Sequence, residues 1–154
     1  MKTGHLELYL GSMFSGKSSK IINIYKKWKL CNYSPLVINY SADTRYSTTA
    51  DKLITHDKNE IPCIHNTSLR NIFQPLINNK TIHNTDYDII IINEGQFFDD
   101  LYHWCELLLN VYNKHIYIAA LNGDFERKPF EQISKLIPEA NVIEKLHAIC
   151  SGCK

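Results

Sequence analysis

Four consecutive isoleucines at residues 89–92 constrain this chain more than any other feature. Successive side chains of a strand face opposite sides, so the unbroken run YDIIII at 87–92 needs apolar cover on both. Runs of this kind belong to parallel sheets layered between helices, and the remaining sequence alternates in the way such a sheet requires. Residues 6–10 read as a strand, 18–29 as a helix with Ile21, Ile22, Tyr25 and Trp28 at helical spacing, and 35–40 (PLVINY) as a second strand. Residues 41–61 are polar and irregular, a long loop of the kind that usually has a function. A short strand is expected at 61–65, a helix over 69–76 capped by Ser68, and a strong helix over 99–112. Residues 116–121 form another buried strand, Pro129 can open a helix, and 142–149 are strand-like. The expected fold is therefore α/β, a mostly parallel sheet with helices on both faces. Its ligands should gather at the carboxyl ends of the strands.

Composition bounds the function classes. The 154 residues suit one domain, and 44% hydrophobic with 21% charged residues is ordinary globular composition. A net charge of +1 without basic runs gives no nucleic-acid or anionic-membrane surface. No apolar stretch is long enough to cross a bilayer, and no signal peptide is expected, so a cytoplasmic setting follows as an expectation. There the five cysteines read as thiols or metal ligands rather than disulfides.

The segment GSMFSGKS at 11–18 satisfies the phosphate-loop pattern, and it follows a strand and opens a helix. Backbone N–H groups of Gly11, Ser12, Met13, Phe14, Ser15 and Gly16 can converge on a triphosphate at the positive end of that helix. Lys17 can neutralise charge between the β- and γ-phosphates, and the Ser18 hydroxyl can ligate Mg²⁺. The run of isoleucines ends in Asn93-Glu94-Gly95-Gln96-Phe97-Phe98. Glu94 is the only acid at this strand tip, and it has two open roles: ligating metal or removing a proton from the attacking nucleophile. The two aromatics behind it suit a flat acceptor better than water, which favours transfer over hydrolysis. An Asn-Lys-x-Asp guanine-reading motif is absent.

Six motifs in order, GSMFSGKS at 11–18, DTRYS at 43–47, THD at 55–57, EGQFF at 94–98, AALNGDFERKPF at 119–130 and CSGC at 150–153, resemble the type II thymidine kinases. This is the family of the cellular cytosolic enzyme and of poxvirus enzymes, and the resemblance covers nearly the whole chain. It implies a phosphate-loop kinase domain over 1–149 that transfers the ATP γ-phosphate to the thymidine 5′-hydroxyl with Mg²⁺. It makes residues 11–18 the ATP site and Glu94 the base. It sets Asp43 and Arg45 beside the phosphates and metal, with Arg45 joining Lys17 and Glu94 in catalysis. Met13, Phe97, Leu121, Phe125 and Phe130 would pack against thymine. Feedback inhibition by thymidine triphosphate and a homotetramer are implied as well.

Three departures stand out. Asn93 occupies the position of the family's metal-side Asp, retaining a carbonyl oxygen but losing a charge, so weaker Mg²⁺ affinity is expected. Asn122 replaces another Asp, with no physical account of the consequence. The family's zinc domain has two Cys pairs separated by a lid loop. Residues 150–154 hold only Cys150 and Cys153, and two thiolates cannot fill a tetrahedral Zn²⁺ site. They are expected to be its first half. The departures keep a second class open, a catalytically weakened nucleotide-binding or assembly protein; a hydrolytic ATPase is a third.

Overall fold

The computed structural model describes residues 3–41, 52–55 and 57–149. Its centre is a six-stranded sheet built from β1 (His5–Gly11), β2 (Leu36–Tyr40), β5 (Ile64–Asn66), β6 (Ile89–Asn93), β7 (His115–Ala120) and β8 (Val142–Leu146). The strand order is β5-β2-β6-β7-β1-β8, and every pairing is parallel. The isoleucine strand lies inside the sheet between β2 and β7, and all five of its residues are buried.

Alternation along the strands sorts side chains between two cores. Leu6, Leu8, Leu10, Ile38, Ile90, Ile92, Ile116 and Ile118 face one core. Tyr9, Val37, Ile89, Ile91, Tyr117 and Ala119 face the other. Helix α1 (Lys17–Leu30) covers the second face with Ile21, Ile22 and Ile24, while Tyr25 and Trp28 are only partly buried against it. Helices α2 (Arg70–Asn78), α3 (Leu101–Asn110) and α4 (Glu131–Leu136) cover the first through Phe73, Trp104, Leu108, Ile133 and Leu136. Both faces are thus covered, as the apolar runs require.

Three local differences from the sequence reading have physical causes. The polar stretch after β2 contains a small antiparallel hairpin, β3 (Lys52–Ile54) with β4 (Glu60–Pro62), whose Leu53 and Ile61 pack onto the α1 face. Its three-residue strands are too short to show a period. Ser68 does not cap α2; its hydroxyl donates to Asp100 Oδ2 at 3.0 Å instead. Asp100, at the start of α3, takes over the cap, accepting the N–H groups of Leu69 at 3.3 Å and Arg70 at 3.0 Å. Residues 81–83 and 85–87 form 3₁₀ turns that lead into β6, which begins at Ile89 rather than Tyr87.

Candidate active site

The carboxyl ends of β1, β6 and β7 lie side by side, and the loops that leave them form the site. After Gly11 the chain turns through two left-handed residues, Phe14 at φ 61° and Gly16 at φ 88°, and enters α1 at Lys17. Gly11 cannot be larger: a Cβ there would stand 2.5 Å from Ser15 Oγ and 2.6 Å from the Leu146 carbonyl of β8. The Lys17 ammonium folds over its own loop. It donates to the carbonyls of Gly11 at 2.9 Å and of Ser12, with Ser15 Oγ at 3.4 Å. Burial lowers its pKa, while the nearby negative charge of Glu94 pulls the other way.

Glu94 leaves the end of β6 in the left-handed conformation, φ 56° and ψ 39°, which is uncommon for a residue with a side chain. The strand stops there because Gly95–Phe97 closes at once into a 3₁₀ turn. Gly95 must lack a Cβ, which would come within 2.7 Å of Ile118 Cγ2 on β7. Gln96, buried beneath the turn, fixes the acid: its Nε2 donates to Glu94 Oε2 at 2.7 Å, and its Oε1 accepts the Leu121 N–H at 3.2 Å. One side chain thereby ties the tip of β6 to the end of β7. The bond engages Glu94 Oε2 and not Oε1.

A cavity of about 560 Å³ opens between these loops. It is lined by Met13, Phe14, Ser15, Gly16, Lys17, Ser18, Asn93, Glu94, Phe97 and Leu121, together with Ile54 and Thr55 of the hairpin. Lys17 and Glu94 thus share one chamber whose apolar wall carries Met13, Phe97 and Leu121. Phe97 is 46% exposed, but it is braced from behind by Tyr40 at 5.4 Å and Phe130 at 6.3 Å between ring centroids. Phe130 therefore touches the wall without lining the chamber. Phe125 does not: it is 94% exposed, on the loop that Asp124 closes by accepting the N–H groups of Glu126 and Lys128. Asp43, Arg45, Cys150 and Cys153 lie outside the described residues. Among the described residues no group of three or more His, Cys, Asp or Glu side chains could hold a metal ion.

Sequence reasoning singled out the acid but passed over Gln96, Ile54, Thr55 and Tyr40. Thr55 opens the THD segment, so a signal for it was present. Gln96 also lies within a quoted motif, yet its role depends on Leu121, twenty-five residues onward, which no local pattern reveals. No helix among the described residues is long and apolar enough to cross a membrane.

Comparison with known proteins agrees with this geometry. The family model described as thymidine kinase matches residues 4–154. A thymidine kinase of raccoon poxvirus is 40% identical over 153 residues, covering 99% of this chain and 80% of the relative. Thymidine kinases of vaccinia virus and monkeypox virus are each 39% identical over the same spans. With the phosphate loop, the acid-bearing strand tip and the similarity all extending along one chain, this protein belongs to the thymidine kinase family.

Proposed function

We propose that the chain transfers the γ-phosphoryl group of ATP to the 5′-hydroxyl of thymidine. One observation carries this reading: Lys17 and Glu94 line the same cavity, with the apolar wall of Met13, Phe97 and Leu121 beside them. The phosphate loop would hold the triphosphate through backbone N–H groups, with Lys17 exchanging its loop carbonyls for phosphate oxygens. Thymine would lie against Phe97, which sets the 5′-hydroxyl near Glu94. Glu94 Oε1 then accepts the hydroxyl proton as the new O–P bond forms, and the bond from γ-phosphorus to its bridging oxygen breaks to release ADP. A carboxylate placed for this step contributes on the order of 10²–10⁴-fold. Ser18 and Asn93 both line the cavity; their hydroxyl and amide oxygens are hard donors of the kind that fits Mg²⁺, which when bound would neutralise charge on the phosphates. Asp43 and Arg45 are assigned to the phosphates, and Phe125 and Phe130 to thymine, on the family resemblance.

The same resemblance supports a kinase domain over 1–149, a zinc half-site at Cys150 and Cys153, a cytoplasmic homotetramer and feedback by thymidine triphosphate. A zinc assay tests the half-site, and sedimentation tests the assembly. The activity itself is tested by incubating the chain with ATP, Mg²⁺ and thymidine. Thymidine monophosphate and ADP in equal amounts are expected; no phosphorylation of any deoxynucleoside would remove the reading. One observation favours a second reading, a nucleotide binder with little turnover. Asn93 is neutral where a charged metal ligand is expected, and nucleotide binding without phosphoryl transfer would favour it.

A further inference from the structure

The polar side chains beside the cavity form a directed chain across three neighbouring strands. Asn39 of β2 is in register with Asn93 of β6 on one side and with His65 of β5 on the other. Asn93 Nδ2 donates to Asn39 Oδ1 at 2.8 Å. Since the Asn39 oxygen is thus engaged, its Nδ2 is the end facing His65 Nδ1 at 3.2 Å, and that ring nitrogen must accept. The hydrogen of the neutral ring then sits on Nε2, which faces Cys63 Sγ at 3.4 Å. The contacts thus run from Asn93, a buried side chain that lines the candidate ATP site, outward through Asn39 and His65 to Cys63.

The two ends of an asparagine amide have nearly the same shape and opposite chemistry. A carbonyl oxygen attracts a cation and repels phosphate, and an NH₂ group does the reverse. With Nδ2 committed to Asn39, the cavity is offered Oδ1. We propose that Asn39 and His65 are positioning residues that hold the Asn93 amide with its oxygen toward the cavity, so that the site prefers a magnesium-bound nucleotide to the bare one. The inference rests on the cavity being the ATP site.

The readout is the ratio of ADP dissociation constants without and with Mg²⁺, measured by calorimetry on the whole chain. Asn39→Leu releases the amide, lets NH₂ turn to the phosphates, and should lower that ratio by about tenfold, the equivalent of one hydrogen bond. His65→Phe keeps the Asn39–Asn93 contact but removes the acceptor that orients Asn39, and should lower the ratio in the same direction; it serves if Asn39→Leu does not fold. In an Asn93→Asp background both ends are oxygens, so Asn39→Leu should leave the ratio within about twofold. A loosened fold would weaken both forms of the nucleotide alike and leave the ratio standing. If the unsubstituted chain prefers the magnesium form and the variants keep its ratio, the positioning role is overturned alone. If the unsubstituted chain binds neither form, the ATP site falls with it.

Discussion

Glu94 pairs an uncommon backbone conformation with a side chain held at one oxygen. Residues in the left-handed region store of order 1–3 kcal/mol and persist where surrounding contacts enforce them. Here the enforcing contacts are the Gly95 approach to Ile118 and the Gln96 bridge to Leu121. Gln96→Leu should therefore let the carboxylate swing while the apolar wall stays. It should reduce kcat about tenfold with a smaller change in the KM for thymidine, and steady-state kinetics measure the split. Lys17→Met should weaken ATP binding, because no other described cation lines the cavity proposed to take the triphosphate; calorimetry reads the loss. At this scale the sequence is informative where a residue acts through its own neighbours. Glu94 follows four isoleucines, and Lys17 ends a glycine loop. It is silent where a role depends on pairing across strands, as with Gln96, Asn39 and His65.

Asp100 joins two helices that the sequence treats separately. It stands at the start of α3 and accepts the Leu69 and Arg70 N–H groups at the start of α2, with the Ser68 hydroxyl as a third donor. Asp100→Ala should cost about 1–2 kcal/mol of stability in urea unfolding, and Ser68→Ala clearly less. The expectation of a Ser68 cap fails for this reason: a stronger acceptor arrives from thirty-two residues away. Gly11→Ala should distort the phosphate loop and the β1–β8 seam together, with both nucleotide affinity and the thermal midpoint falling. The long elements were legible because each repeats a period over several turns or a full strand. The β3–β4 hairpin was not, since a strand of three residues gives periodicity nothing to act on.

The described residues place a six-stranded parallel sheet between α1 on one face and α2, α3 and α4 on the other, and that arrangement was legible from residues 89–92 and their alternating surroundings. It also half-buries His115, at the amino end of β7, against His5 and Trp28, with a buried Nδ1 that lacks a hydrogen-bond partner. Burial lowers the pKa of His115, and the neighbouring His5 adds to the shift. The unfolded chain then binds a proton before the folded one does. The stability contributed is complete above the ordinary histidine pKa near 6.5 and is lost as pH falls through the lower folded value. His115→Phe should flatten the dependence of the thermal midpoint on pH below about 6.5. The same sheet brings the carboxyl ends of β1 and β6 to one cavity, which is where phosphoryl transfer is assigned. Glu94→Gln tests that assignment, with thymidine-dependent ADP formation and magnesium–ADP binding measured on one preparation. Nucleotide binding should persist while turnover falls by at least about a hundredfold. Turnover retained within a few-fold would show that the hydroxyl proton goes elsewhere and that Glu94 is not the base.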